Sequence, residues 1–260
     1  MPPTDLSGGL REEEPVIVEE LSSVGRRLRR HDRFSFSCYR GIACFNTCCR
    51  NKDLILTPYD VLRLKNRLGI DSDSFLVRYT LYRVDPGSGF PVLTLRLEAE
   101  PGRRCPFVTQ EGCSVYEDRP MACRLFPLGR ASGQDPEAVQ QDEFFFELDA
   151  PGCLGLQEGK VWTVQEWVSA QGLARHTEMS DRMLGILFHP DRKRPRLLDD
   201  GQLQQIIVAC YNLDVFREFV FSSEFLGSFR LDDETLSRIE EDDTELLHLG
   251  FAYLRETLFR

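Results

Sequence analysis

The sequence predicts an α+β fold: a cysteine-rich, metal-binding core of short strands, loops and helices, followed by a helical C-terminal layer. Three observations predict it. Eight of the nine cysteines lie between residues 38 and 153, strand and helix signals alternate through that stretch, and strand signals vanish from about residue 179 onward. The chain divides accordingly into an N-terminal arm (1–33), a cysteine-cluster domain (34–175) and a helical extension (176–260).

The arm is acidic at 11–14 and then basic through Arg26, Arg27, Arg29, Arg30 and Arg33, the composition of a solvated segment. Residues 54–56 read as a strand. Thr57-Pro58-Tyr59-Asp60 opens a helix, with Thr57 as N-cap, Pro58 at the first helical position and Asp60 at the positive end. Val61, Leu64 and Leu68 share a face, Gly69 stops the helix, and a second helix is expected at about 72–79. Residues 91–98 alternate Val92, Thr94 and Arg96 against Leu93, Leu95 and Leu97, a half-buried strand, and 144–148 reads as another. Thr163-Val-Gln-Glu166 is a capping box, with Trp162 and Trp167 placed as a hydrophobic staple over a helix ending at Gly172. Helices are then expected at 179–188, 201–222 and 232–258, with an exposed basic connection at 191–196 and a solvated acidic face at 240–243.

The 260 residues are 42% hydrophobic and 28% charged, enough to bury a sizeable core and unlike a disordered or fibrous chain. No apolar run approaches the ~18 residues of a membrane span. The opening residues lack the basic and apolar regions of a secretory signal, so the cytoplasm is the expected compartment. A net charge of −10 argues against nucleic acid as a partner, since phosphate binding rests on excess Lys and Arg.

The cysteines run Cys38-x5-Cys44-x3-Cys48-Cys49 and Cys105-x7-Cys113-x9-Cys123, with Cys153 beyond and Cys210 apart in an apolar helical stretch. Clustered thiols in a reducing compartment point to metal binding: four complete one tetrahedral zinc site or one cubane, and eight could hold two centres. The spacing matches neither a zinc ribbon nor the bacterial ferredoxin run. Adjacent Cys48 and Cys49 diverge, which favours an iron–sulfur cluster or a two-centre site slightly over a single zinc ion. Cys210 reads as a small core hydrophobe. His31, His176, His189 and His248 show no ligand spacing and read as structural or exposed.

Phe36-Ser-Cys-Tyr-Arg-Gly-Ile-Ala-Cys-Phe-Asn-Thr-Cys-Cys-Arg50 resembles the signature of the YkgJ-type cysteine-cluster proteins, a bacterial family described as zinc- or iron-chelating. The resemblance continues through Cys105-Pro-Phe107, Gly112-Cys-Ser-Val-Tyr-Glu-Asp-Arg-Pro120, Cys123-Arg-Leu-Phe-Pro127, Gly152-Cys-Leu-Gly155 and Trp162-Thr-Val-Gln-Glu-Trp167, and covers roughly residues 34–175. The first block is spaced more widely than the commoner Cys-x2-Cys-x2-Cys-Cys form. The resemblance implies Cys38, Cys44, Cys48, Cys49, Cys105, Cys113, Cys123 and Cys153 as metal ligands. It also places Arg50, Arg119 and Arg124 at motif positions, as groups that back the ligands or bind an anion. A related branch holds the flagellin lysine-N-methylases.

Two readings of function follow. The first is a cytoplasmic metal-binding protein with an iron–sulfur (4Fe–4S) or zinc centre that acts as a redox or protein-modifying factor on a protein substrate. The alternative is a structural zinc protein whose helical layer serves a protein partner.

Overall fold

The computed structural model describes residues 25–99, 102–132, 143–190 and 198–259. The acidic run at 11–14 and the connection at 191–196 lie outside the described residues. Strands β1 (Arg27–Leu28) and β2 (Arg33–Ser35) precede the first cysteine loop, and β3 (Ile55–Leu56) leads into α1 (Pro58–Leu68) and α2 (Ser72–Tyr79). Next come β4 (Thr80–Val84), β5 (Pro91–Leu95), the hairpin β6 (Val108–Thr109) and β7 (Gly112–Cys113), and α3 (Met121–Leu125). Strands β8 (Leu128–Ser132), β9 (Glu143–Glu147) and β10 (Val161–Thr163) follow, the last running directly into α4 (Val164–Ala170). The remainder is helical: α5 (Ala174–Leu187), α6 (Asp200–Cys210), α7 (Leu213–Val220), α8 (Ser223–Ser228), α9 (Asp233–Glu241) and α10 (Asp243–Leu258). The fold class is α+β, and no helix among the described residues is long and apolar enough to cross a membrane.

The two capping boxes form as the sequence predicts. Thr57 Oγ1 accepts from the Asp60 N–H while Asp60 Oδ2 accepts from the Thr57 N–H, and Thr163 and Glu166 repeat the exchange at α4. The Trp162 and Trp167 rings meet edge to face at 5.3 Å, closing the staple. β5 is the central strand of the antiparallel sheet β3–β5–β4, with Leu93 and Leu95 buried as the alternation requires. The other sheets are smaller: β1–β9–β8, β10–β2 and the β6–β7 hairpin.

The helical layer departs from expectation at its joints. The helix expected from 179 begins at Ala174, the 201–222 stretch breaks at Tyr211–Asn212, and Asp242 divides 232–258 by accepting from the Thr244 N–H as the cap of α10. The acidic run 240–243 is not simply a solvated face. Asp243 is half-buried against Lys65 Nζ at 2.9 Å and Arg217 Nη2 at 2.7 Å. Lys65, on α1, is itself 7% exposed and lies 3.5 Å from Asp214, whose carboxylate accepts from Ser72 N–H and Oγ–H. This ionic knot fastens α1 and α2 to α7 and α10.

Apolar packing crosses the same junction. Leu56, Leu64, Phe75, Leu93 and Leu95 share one core with Met179, Ile206, Phe216, Leu247 and Leu254 from the helical layer. A second, smaller core packs Leu28, Phe34, Phe36, Leu125, Phe145, Val164 and Trp167. Helices α6 and α10 touch at Gly250, where a β-carbon would stand 2.1 Å from the Ala209 carbonyl oxygen.

Two outcomes are expected. Gly250→Ala must push α10 from α6 and should cost about 1–3 kcal/mol, read as a lowered thermal midpoint. Burial opposes ionisation of Asp243, but bonds from Lys65 and Arg217 outweigh it and hold the carboxyl at about 2, below its ordinary 3.8. A lowered folded pKa gives stability above the unfolded value that is lost as pH falls, here about 2 kcal/mol between about pH 4 and pH 2. Asp243→Asn should therefore be less stable than the parent at neutral pH, with the gap in urea midpoints closing as the pH drops through that window.

Candidate metal centre

All nine cysteines are unpaired thiols. Cys210 is fully buried in α6, the small core hydrophobe its apolar setting predicts, and burial pushes its thiol pKa up. The other eight lie on loops and short elements between the two cores, Cys105 and Cys113 packing against the larger and Cys153 against the smaller.

Strand pairing sets the first positions. β2 pairs with β10, and beyond it Phe36 N–H donates to Lys160 O at 2.9 Å and Ser37 N–H to Gly155 O at 3.0 Å. Cys38 is thereby laid beside the loop carrying Cys153. The approach demands glycine at 155, because a β-carbon there would stand 2.5 Å from the Ser37 carbonyl oxygen. Cys44 reaches the same loop, its Sγ accepting from the Leu154 N–H at 3.3 Å.

Cys48 and Cys49 end a 3-10 turn, Thr47–Cys49, which follows Asn46 in the left-handed conformation (φ 66°). Asn46 Nδ2 donates to Thr109 O at 3.0 Å and so ties this turn to the β6–β7 hairpin. Cys105 N–H donates to Cys49 O at 2.9 Å, Arg50 bridges Arg104, and Asn51 N–H donates to Arg103 O at 3.0 Å. Asn51 and Arg103 hold left-handed backbone at φ 50° and 43°, so strained turns flank this crossing. Cys113 sits on β7 opposite Val108, whose N–H donates to Cys105 O. Cys123 lies on α3, where Asp60 Oδ1 accepts from the Met121 N–H at 2.8 Å.

The thiols titrate in response to one another. Burial, then Cys48, Cys44 and Cys153, push Cys38 up to about 11. Burial, then Cys105, Asp60 and Cys113, push Cys123 up to about 12. Burial raises Cys105, Cys113 and Cys153 as well, while the charge of Arg119 works against the rise at Cys113. The bond between Cys48 and Cys49 lowers the Cys48 thiol, with help from Lys52, and together with burial raises the Cys49 thiol. Cys123 is exposed on α3.

The arginines are placed differently from one another. Arg124 donates to the carbonyls of Arg119, Gln171 and Glu117. Arg119 donates to Tyr116 O and Gln171 Oε1 and stacks 3.8 Å over the Tyr116 ring. Both brace the segment between Cys113 and Cys123, with their guanidinium donors on oxygens. Arg50 is exposed at the bridge to Arg104. The cation that acts on both Cys48 and Cys123 is Lys52, which sits 4.7 Å from the Phe126 ring centroid. Its only sequence signal was a position three residues after Cys49. His176, the buried histidine, faces Asp60 Oδ1 at 3.4 Å and packs on Tyr59.

The donor set suits a thiophilic metal: eight free thiols, an amide N–H on one sulfur and a nearby ammonium. Among the described residues, no three His, Cys, Asp or Glu side chains already stand in position to hold one metal ion. Ligation would therefore require the thiol side chains to turn toward one another.

Residues 37–153 match the family model CxxCxxCC, described as a "putative zinc- or iron-chelating domain". No curated protein and no solved structure matches the chain. That match runs from the residue before Cys38 to Cys153 itself, so this segment of the chain is similar to a zinc- or iron-chelating domain of the cysteine-cluster type.

Proposed function

We propose that Cys38, Cys44, Cys48, Cys49, Cys105, Cys113, Cys123 and Cys153 ligate an iron–sulfur centre, and that the protein is a cytoplasmic redox or protein-modifying factor. The observation that carries this reading is the Cys48–Cys49 pair. Chain on either side of the pair meets different loops: Cys49 O accepts from the Cys105 N–H at 2.9 Å, while Cys44, four residues before Cys48, accepts from the Leu154 N–H beside Cys153. Donors spread in this way suit a multi-iron centre or several centres better than one small ion. Exposure of Cys38 and Cys48 supports access by a protein substrate. Arg119 and Arg124 brace the ligand loop, and Lys52 offsets thiolate charge. When bound, an iron–sulfur centre would supply one-electron chemistry or an open iron site.

A structural zinc centre has one observation in its favour. Cys123 is anchored through Met121 to Asp60, which also caps α1, so a metal there would brace the core. The helical layer would then serve a protein partner.

Anaerobic purification with metal and acid-labile sulfide measured together separates the two. Iron with matching sulfide is expected, and zinc without sulfide would replace the cluster reading with the structural one. Metal content should fall in Cys49→Ser and in Cys123→Ser but not in Cys210→Ser; equal loss in all three would overturn the ligand assignment. Since ligation is coupled to folding, the loaded protein should melt above the stripped protein, and coincident midpoints would contradict that coupling.

A further inference from the structure

We propose that the eight thiols form two separate four-thiolate centres, Cys38, Cys44, Cys48 and Cys153 in one and Cys49, Cys105, Cys113 and Cys123 in the other, joined at the Cys48–Cys49 peptide. The proposal rests on the metal-binding reading above and deepens it by fixing the number of centres and the membership of each.

Backbone geometry separates the sets. In the first, the Ser37 N–H to Gly155 O bond and the Leu154 N–H to Cys44 Sγ bond draw three stretches of chain around Cys153. In the second, Cys105 is bonded through its N–H to Cys49 O, and Cys113 stands across the hairpin from Val108, whose N–H returns to Cys105 O. The Asn46 to Thr109 bond locks the turn to that hairpin, so Cys49 is held on the hairpin side. A 3-10 turn advances about 120° per residue, which points consecutive side chains to different sides. One dipeptide can therefore supply a thiol to each centre, and four thiols complete either a tetrahedral ion or a cubane. Cys123 is held on the hairpin side as well, because Arg124 donates to the carbonyls of Glu117 and Arg119 in the short segment that joins Cys113 to α3.

The sets also differ in their mounting. Cys105 and Cys113 pack on the main core and Cys123 rides a helix tied to buried Asp60, whereas Cys38 and Cys48 are exposed on loops. The second set is thus tied to the main core and to buried Asp60, although Cys123 itself is exposed.

The test is a Co2+ titration of the reduced, metal-free full-length chain, followed by thiolate-to-cobalt charge-transfer absorption. Saturation is expected at about two equivalents, because eight thiols fill two tetrahedral shells of four. Cys44→Ser and Cys113→Ser should each keep one all-thiolate cobalt site and about half of the absorption. Saturation of the parent chain at about one equivalent, or loss of all charge-transfer absorption in either folded variant, would overturn the division and indicate one shared centre. If a variant does not fold, the parent stoichiometry decides alone. No cobalt uptake, together with no metal in the protein as purified, would remove the metal-binding reading itself; a one-equivalent endpoint leaves that reading standing and sinks only the two centres.

Discussion

Asp60 occupies a fully buried position on the first turn of α1, and its carboxylate serves three elements at once. Oδ2 accepts from Thr57 N–H, Oδ1 accepts from Met121 N–H at 2.8 Å, and the same oxygen faces His176 Nδ1 at 3.4 Å. A carboxylate removed from water is costly unless its lone pairs are used, so the N–H groups of Thr57 and Met121 are conditions for burying it. Meeting them fixes where α1 begins and where α3 begins. Cys123 lies two residues beyond Met121, so the same carboxylate positions one of the cysteine thiols. Burial, then Cys105 and Asp60, raise the Cys123 thiol.

The ionic knot of Lys65, Asp214, Arg217 and Asp243 does for the helical layer what Asp60 does for the cysteine loops. Both are anchored on α1, one at its N-cap end and the other toward its last turn. The helix therefore carries the cysteine segment on one side and the helical layer on the other. The change in composition near residue 176 marks a change in secondary structure, while one hydrophobic core continues across it.

Features with local causes were legible in the sequence. The capping boxes at Thr57 and Thr163, the tryptophan staple, the alternation through β5 and the buried Cys210 each depend on residues within one or two turns of one another. What escaped depends on distant partners. β1 and β2 are two and three residues long and exist because Arg27 pairs with Phe146 and Arg33 with Thr163. The acidic run at 240–243 looks solvated until Lys65 arrives from α1 to pair with Asp243. At the cysteines, spacing singled out eight candidate donors but not which stretches of chain meet, because that follows from hydrogen bonds such as those from Cys105 N–H to Cys49 O and from Leu154 N–H to Cys44 Sγ. Arg119 and Arg124 stand on motif positions, yet only their hydrogen bonds reveal that carbonyl oxygens occupy them.

Charge sets the last constraint. A tetrathiolate centre is anionic, and this chain already carries a net charge of −10. Several arginines near the cysteines are committed elsewhere: Arg103 to Asp53, Arg104 to Glu98, Arg40 to Glu111, and Arg119 and Arg124 to carbonyls. Lys52 acts on Cys48 in one set of thiols and Cys123 in the other, so a single ammonium lies within reach of both. Amide donors such as the Leu154 N–H on Cys44 must supply much of the remaining compensation, as they do wherever buried sulfur is hydrogen-bonded by backbone. A centre held in this way leans on loop conformation as much as on ligand identity. That gives a physical reason for the strained backbone at Asn51 and Arg103, which hold the Arg50–Arg104 crossing beside Cys49 and Cys105.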